Sequence, residues 1–105
     1  MQFTSYLENG NLTIALTGEI DHHTAKAYML SITGKLEAYI PKLCVLDFSE
    51  VSFMDSSGIA VVINALRQMQ QFGGELQVSG LRSQPMKVFL AAGMEKLVKI
   101  KETVL

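Results

Sequence analysis

The sequence predicts an α/β fold, with helices packed on a mixed, mostly parallel β-sheet of four to five strands that begins with an N-terminal hairpin. Two observations predict it. Short apolar runs typical of strands are interleaved with segments whose apolar residues recur every three to four positions, as in amphipathic helices. In addition, Asn9-Gly10 separates the first two strand-like runs, and this pair is typical of a tight hairpin turn.

The N-terminal part of the chain supplies the hairpin and one helix. Residues 3–8 and 12–17 are the predicted antiparallel strands, with Asn9-Gly10 between them. The pattern becomes helical over residues 24–40, where apolar side chains fall on one stripe. Pro41 ends this helix, because proline cannot continue the helical hydrogen bonding.

The middle of the chain repeats this alternation. Residues 43–48 form an apolar run that indicates a covered strand. The clearest helix follows over residues 56–72, and Gly73-Gly74 is suited to end it in a left-handed cap. Residues 75–79 are the next predicted strand.

The C-terminal part adds a third helix and a variable tail. Ser83 is the predicted N-cap, Pro85 lies in the first turn, and Gly93 ends the helix. Residues 97–100 fit either a last strand or a short helix. Since connections between strands of one sheet through a helix are right-handed crossovers, the later strands are expected to run parallel.

Length and composition indicate one domain over residues 1–105 and exclude several function classes. With 49% hydrophobic and 18% charged residues, the chain can bury a core. A net charge of −1 gives no attraction to nucleic acid or to an anionic membrane, so neither is an expected partner. The N-terminus lacks the features of a signal peptide, and the one cysteine, Cys44, lies in an apolar run; both favour the cytoplasm.

In the segment FMDSSGIAV, residues 53–61, a group of polar residues lies between two apolar runs. The segment follows the predicted strand 43–48 and opens the predicted helix at Ser56, so it lies at the carboxyl end of a parallel strand. Open α/β sheets place their binding sites at such ends. Three interpretations are open: helix capping, a nucleophilic serine and a phosphorylated serine.

Helix capping explains part of this segment. Either Asp55 or Ser56 would serve as the N-cap and contribute about 1 kcal/mol. Capping does not account for Ser57 and Gly58, which follow at once. A glycine in the first helical turn is expected to leave the neighbouring hydroxyl uncrowded, so that another molecule can approach it.

A nucleophilic serine is disfavoured. The residues around Ser57 do not match the G-x-S-x-G elbow of α/β-hydrolases. The two histidines, His22 and His23, are adjacent in sequence near another helix start, and a triad needs one of them in reach of the hydroxyl. A metal site would need further ligands, and the sequence supplies none, so we expect neither metal nor cofactor.

A phosphorylated serine is the preferred interpretation. The start of a helix tolerates a phosphate because its N–H groups are unpaired and its dipole is positive there. The phosphate would stand near Asp55, and near Asp21 if the two loops are neighbours. Two like charges about 6 Å apart repel by about 3 kcal/mol at an effective dielectric of about 20, which weakens binding of a partner by about two orders of magnitude.

Two stretches of the chain, LTGEIDHHTA (residues 16–25) and VSFMDSSGIAVV (residues 51–62), carry a family resemblance, which includes the turn at residues 73–75 and the C-terminal AAGMEKLVKI. They resemble the anti-sigma factor antagonists of the STAS domain family. Within the family, the resemblance is strongest to antagonists that act on the forespore sigma factor of spore-forming bacteria. Ile59-Ala60 departs slightly from the Leu-Gly that is common in the family.

The resemblance implies a phosphorylation switch without catalysis by the chain itself. In this family the unphosphorylated antagonist binds an anti-sigma factor, which is a serine kinase of the GHKL type, and so frees the sigma factor. The kinase phosphorylates the second serine of the motif, here Ser57, and a PP2C-type phosphatase removes the phosphate. Asp21 and Asp55 match carboxylates beside that serine, and Ser56 matches its neighbour.

The remaining candidate residues surround this motif. Asp21 is either a helix cap or a contact for a basic partner residue, and His22 is either exposed or part of the interface. These two residues form the expected partner-binding set together with Asp55, Ser56, Ser57, Gly58 and Asn64. Two other functions are considered: a STAS antagonist in a general stress response, and a module that binds a nucleotide or other ligand at the loop ends.

Overall fold

A five-stranded sheet and three helices form the computed structural model, which describes residues 2–101. The strands are β1 (Gln2–Glu8), β2 (Asn11–Ile20), β3 (Leu43–Met54), β4 (Glu75–Ser79) and β5 (Lys99–Lys101). The helices are α1 (Ala25–Tyr39), α2 (Ser56–Gln71) and α3 (Ser83–Ala91). The strands lie side by side in chain order; β1 and β2 are antiparallel and all other pairs are parallel, so the predicted fold class is confirmed.

The hairpin and the helix ends follow the turn chemistry of the sequence. Asn9 and Gly10 have positive φ angles of 54° and 82°, as a two-residue hairpin turn requires. At the end of α2, the N–H of Gly73 donates to Gln70 at 3.1 Å and the N–H of Gly74 donates to Met69 at 2.9 Å. With φ +74° at Gly73, these bonds form a Schellman cap and confirm the predicted left-handed cap.

Strand β3 is longer than the sequence analysis predicted, and it contains two β-bulges. The prediction ended the strand at Phe48, whereas the structure continues it to Met54. Between Ala15 and Ile20 of β2, register shifts place extra residues on β3. Each extra residue interrupts the alternation of faces, so the buried side chains of Phe48, Val51 and Met54 are spaced by three instead of two.

Smaller details of the elements also differ from the prediction. Strand β2 continues to Ile20 instead of ending at residue 17. Ser83 is the first residue of α3, and Arg82 is the N-cap, so the predicted cap at Ser83 is wrong. Of the two alternatives for residues 97–100, the structure has the strand, β5. A short 3₁₀ helix over Met94–Lys96, which was not predicted, precedes it, and residues 102–105 lie outside the described part of the chain.

The core lies between the sheet and the three helices. Its members are the buried apolar side chains of every helix and of the central strands, among them Leu12, Ile14, Leu16, Tyr28, Ile32, Leu36, Leu46, Val62, Val78 and Phe89. The hydroxyl of Tyr28 donates to the carbonyl oxygen of Thr17 and so links α1 to β2. Cys44 is buried as expected, and burial raises the pKa of its thiol to about 12. In residues 2–101, no helix is long and apolar enough to span a membrane.

Candidate functional site

The carboxyl ends of β2 and β3 bring the predicted site residues into two adjacent loops. Ile20 lies opposite Met54 in the parallel ladder, and the N–H of the next residue, Asp55, donates to the carbonyl oxygen of Ile20 at 3.2 Å. Asp21 therefore follows one strand at the same edge of the sheet where Asp55 follows the other. We call Asp21, His22, Asp55, Ser56 and Ser57 the strand-end cluster.

Asp55 caps helix α2. Its backbone is extended, and its Oδ1 atom accepts a hydrogen bond from the N–H of Ser57 at 2.7 Å. Its carbonyl oxygen accepts from the N–H of Gly58 at 3.0 Å. Between the two candidates for the cap, the structure thus selects Asp55 and not Ser56. The cap bond uses the backbone N–H of Ser57 and leaves its hydroxyl out of this contact.

The two serines differ in exposure. Ser56 is exposed at the first position of α2, and Ser57 is half-buried at the second. Both lie in the first turn, where backbone N–H groups lack helical partners and the helix dipole is positive. An added phosphate on either residue would therefore meet favourable backbone charge within the chain and unfavourable charge from Asp55.

Asp21 stabilises the turn that precedes α1. Its Oδ1 atom accepts from the N–H of His23 at 2.9 Å and of Thr24 at 3.1 Å. The N-cap of α1 is Thr24, so Asp21 does not cap this helix itself, and its alternative role as a contact for a partner stays a prediction. Desolvation alone would raise the pKa of Asp21, but these N–H donors, the His23 charge and the Thr24 hydroxyl together lower it. The carboxylate is consequently ionised at neutral pH.

The two histidines lie on the outer side of this turn. His22 and His23 are both exposed, and their ring centroids are 3.9 Å apart. Within the described residues, no group of three or more histidine, cysteine or acidic side chains is arranged to hold a metal ion. His22 is thus available for contact with another molecule beside Asp21.

Gly58 has a packing role that the sequence did not suggest. It is buried, and a Cβ atom at this position would lie 2.8 Å from Sδ and 2.9 Å from Cβ of Met54. Such distances are too short for side-chain carbon atoms, so the first turn of α2 approaches β3 closely only because residue 58 is a glycine. The glycine therefore sets the height of Ser57 above the sheet, and a partner contact at Gly58 stays a prediction.

Asn64 lies between two helices instead of standing clear of the domain. It is half-buried, and its Nδ2 atom donates to Oγ1 of Thr33 on α1 at 3.4 Å. Gln68, one turn further along, donates to the carbonyl oxygen of Thr33 at 3.3 Å. These side-chain amides link α2 to α1. Asn64 lies outside the strand-end cluster, and its contact with a partner stays a prediction.

Sequence reasoning missed Gln84, which supports the cluster from α3. Its Oε1 atom accepts from the N–H of Met54 at 2.9 Å, and its Nε2 atom donates to the carbonyl oxygen of Met54 at 2.9 Å. Gln84 is 30 residues away in sequence, and no motif marks it. One signal in the sequence could have indicated it: Gln84 and Pro85 lie at the start of α3, and α3 follows β4, the strand next to β3.

The fold and the strand-end cluster define a STAS domain. The family model described as the STAS domain matches residues 3–105, and the chain belongs to this family.

The particular relatives are anti-sigma factor antagonists. An anti-sigma-B factor antagonist of Listeria monocytogenes is 31% identical over 97 residues, which cover 90% of this chain and 82% of the relative. An anti-sigma F factor antagonist of Paenibacillus polymyxa is 29% identical over 91 residues, covering 87% and 78%.

Two solved structures have the same fold. The anti-sigma factor antagonist SpoIIAA in its unphosphorylated form has a TM-score of 0.82 at 23% identity, covering 98% of this chain and 89% of that protein. The Bacillus cell fate determinant SpoIIAA in its phosphorylated form has a TM-score of 0.74 at 23% identity, covering 98% and 92%.

Proposed function

We propose that this chain is a cytoplasmic anti-sigma factor antagonist that works by binding and not by catalysis. Its unphosphorylated form binds an anti-sigma factor, a GHKL-type serine kinase, and so releases a sigma factor. The kinase phosphorylates Ser57, and this switches binding off until a PP2C-type phosphatase removes the phosphate. The names of the relatives support the antagonist role, and the existence of SpoIIAA in both forms supports the switch.

One observation carries the choice of Ser57. This residue lies in the first turn of α2, and its N–H donates a hydrogen bond to the carboxylate of Asp55 at 2.7 Å. A phosphate there is tolerated by the domain, because it stands at the positive end of the helix dipole. The same phosphate concentrates negative charge beside Asp55 and on the edge of the sheet that also carries Asp21.

The effect of this charge falls mainly on the partner. A docked anti-sigma factor excludes water from the strand-end cluster, which lowers the local dielectric and strengthens repulsion between like charges. A partner surface whose charge is complementary to two carboxylates and a neutral hydroxyl is then no longer complementary once the hydroxyl carries a dianionic phosphate. The fold stays intact while binding of the partner falls by about two orders of magnitude.

The test is phosphorylation by a cognate anti-sigma kinase. The chain is incubated with the kinase and ATP, its intact mass is measured, and the modified residue is mapped by peptide sequencing. We expect one added phosphate on Ser57, its absence in Ser57→Ala, and its retention in the neighbouring control Ser56→Ala. Modification of another residue, or none in the wild type, would overturn the assignment.

The sigma factor under control has two candidates. The chain is similar both to an antagonist of an anti-sigma-B factor and to one of an anti-sigma F factor, at 31% and 29% identity. We favour the sporulation system on the motif resemblance and keep the stress-response system as the alternative. Parallel binding measurements with an anti-sigma F and an anti-sigma-B factor distinguish them, because the cognate partner binds the unphosphorylated chain more tightly.

A further inference from the structure

We propose that Gln84 is a positioning residue for the phosphorylation site, acting through the backbone of Met54. This inference rests on the proposed function of Ser57 as the acceptor, but its structural part concerns a contact that exists whether or not a kinase acts on the chain. At the end of β3, the sheet lacks a strand on one side.

Strand β4 pairs with β3 only from Leu43 to Asp47, whereas β2 pairs with β3 as far as Met54. In a parallel ladder, the N–H and C=O of one residue point to the same side, and those of the next residue point to the other. Because the N–H of Asp55 bonds to β2, both backbone groups of Met54 point away from β2, towards the side that β4 does not reach.

The side-chain amide of Gln84 replaces the missing strand at this point. Like a peptide group, it offers one acceptor and one donor, and it meets the N–H and the carbonyl oxygen of Met54 at 2.9 Å each. Gln84 is the second residue of α3, which is anchored in the core by the buried residues Pro85 and Phe89. The end of β3 is therefore tied to a fixed helix start.

Met54 is also held through its side chain. This side chain is fully buried and packs under Gly58, where no room for a Cβ atom remains. The next residue along the chain, Asp55, binds the N–H of Ser57. A continuous set of contacts thus runs from Gln84 through Met54 and Asp55 to the acceptor, and it fixes where the Ser57 hydroxyl stands relative to a docked kinase.

The decisive variant is Gln84→Met, which keeps the length of the side chain and removes both hydrogen bonds without adding charge. The matched control is Gln70→Met, at an exposed position of α2. We expect the turnover number of Ser57 phosphorylation to fall about 10-fold in Gln84→Met, since small displacements of a reacting group are costly, with KM changed less than about 2-fold. Gln70→Met is expected to match the wild type in both constants.

Amide hydrogen exchange tests the contact without the kinase. In Gln84→Met, exchange at the Met54 N–H should rise about 10-fold, while the amides of Val45 and Leu46 inside the paired part of β3 stay protected. In Gln84→Glu, the ionised carboxylate still accepts from the Met54 N–H, but it cannot donate to the Met54 carbonyl and its second oxygen repels that carbonyl oxygen. Protection of the Met54 N–H should therefore be reduced at neutral pH and regained when the carboxyl group protonates. A purely packing role for residue 84 would give no such pH dependence.

The outcomes separate this inference from the proposed function. If the wild type takes no phosphate but the Met54 amide loses protection in Gln84→Met, the proposed function fails and only the structural part of the inference stands. If the wild type is phosphorylated on Ser57 and Gln84→Met is phosphorylated at the wild-type rate, the positioning role is overturned. Unchanged exchange at Met54 in Gln84→Met would overturn it as well.

Discussion

The N–H of Asp55 donates to the carbonyl oxygen of Ile20 at 3.2 Å, one residue beyond the last paired position of β2 and β3. This bond holds together the loops that follow β2 and β3, which are far apart in sequence. It places the carboxylates of Asp21 and Asp55 at one edge of the sheet, next to the first turn of α2.

The first prediction concerns charge at the acceptor. Ser57→Asp is expected to weaken binding to the anti-sigma factor by about 10-fold, less than a phosphate, because one negative charge replaces two. Ser57→Ala is expected to keep wild-type affinity. Calorimetry at low and high salt provides the measurement, and the difference between the variants should shrink at high salt as charges are screened. Equal affinities of Ser57→Asp and wild type would argue against a charge-based switch.

The second prediction concerns the helix cap. Asp55→Ala is expected to lower the free energy of unfolding by about 1 kcal/mol, because the N–H of Ser57 loses its acceptor. Asp55→Asn should lower the free energy of unfolding much less, since an asparagine oxygen also accepts this hydrogen bond. Urea denaturation followed by circular dichroism measures both. The capping role is refuted if Asp55→Ala and Asp55→Asn are equally stable.

The third prediction concerns the close approach of α2 to β3. Gly58→Ala is expected to destabilise the domain by about 1–3 kcal/mol, because the new Cβ atom overlaps the side chain of Met54. The matched control is Gly34→Ala in α1, where nothing lies within 4 Å of a Cβ atom. That exposed helical position should gain about 0.5–1 kcal/mol from the same change. Thermal unfolding of the two variants should therefore shift in opposite directions.

The fourth prediction concerns acid stability. The folded pKa of Asp21 lies below its usual value of 3.8, so the ionised group stabilises the native state above that value. This contribution is lost as the pH falls through the folded pKa. Asp21→Asn keeps an oxygen for the His23 and Thr24 N–H groups but does not titrate. Its free energy of unfolding should therefore decline less steeply below about pH 4 than that of the wild type; identical slopes would contradict the lowered pKa.

The fifth prediction concerns the thiol. Burial raises the pKa of Cys44 to about 12, so the folded protein holds almost no thiolate at pH 8. We expect Cys44 to react with a disulfide reagent only when the domain unfolds. The reaction rate should then rise in parallel with the unfolded fraction across a urea titration. Rapid reaction in native buffer would show that the thiol is accessible.

The sequence alone predicts the fold class and most elements, because the relevant signals are local. The turn at Asn9-Gly10 and the cap at Gly73 depend on backbone conformations that few residues adopt. The apolar stripe of α2 and the short strand β4 are likewise set by neighbouring residues in the chain. These features were correct within one residue at most boundaries.

Features that depend on contacts between distant segments could not be read from the pattern. The bulges of β3 arise from its pairing with β2, so the spacing of Phe48, Val51 and Met54 does not look like a strand. The role of Gly58 depends on Met54, and that of Gln84 depends on where β4 stops. For the site, the sequence identified the motif and its charged neighbours, whereas the supports of the motif required the structure.

The two bulges of β3 set a rule for how this region can change in length. From Ala15 to Ile20 the partner strand advances by five residues, while β3 advances by seven from Asp47 to Met54. Each bulge absorbs its own surplus residue: Val51 is buried opposite Gly18 after one surplus residue, and Met54 is buried opposite Ile20 after two. Loss of either surplus residue alone would therefore leave the later side chains on their present faces. Evolutionary gains and losses at these two positions should accordingly occur one residue at a time.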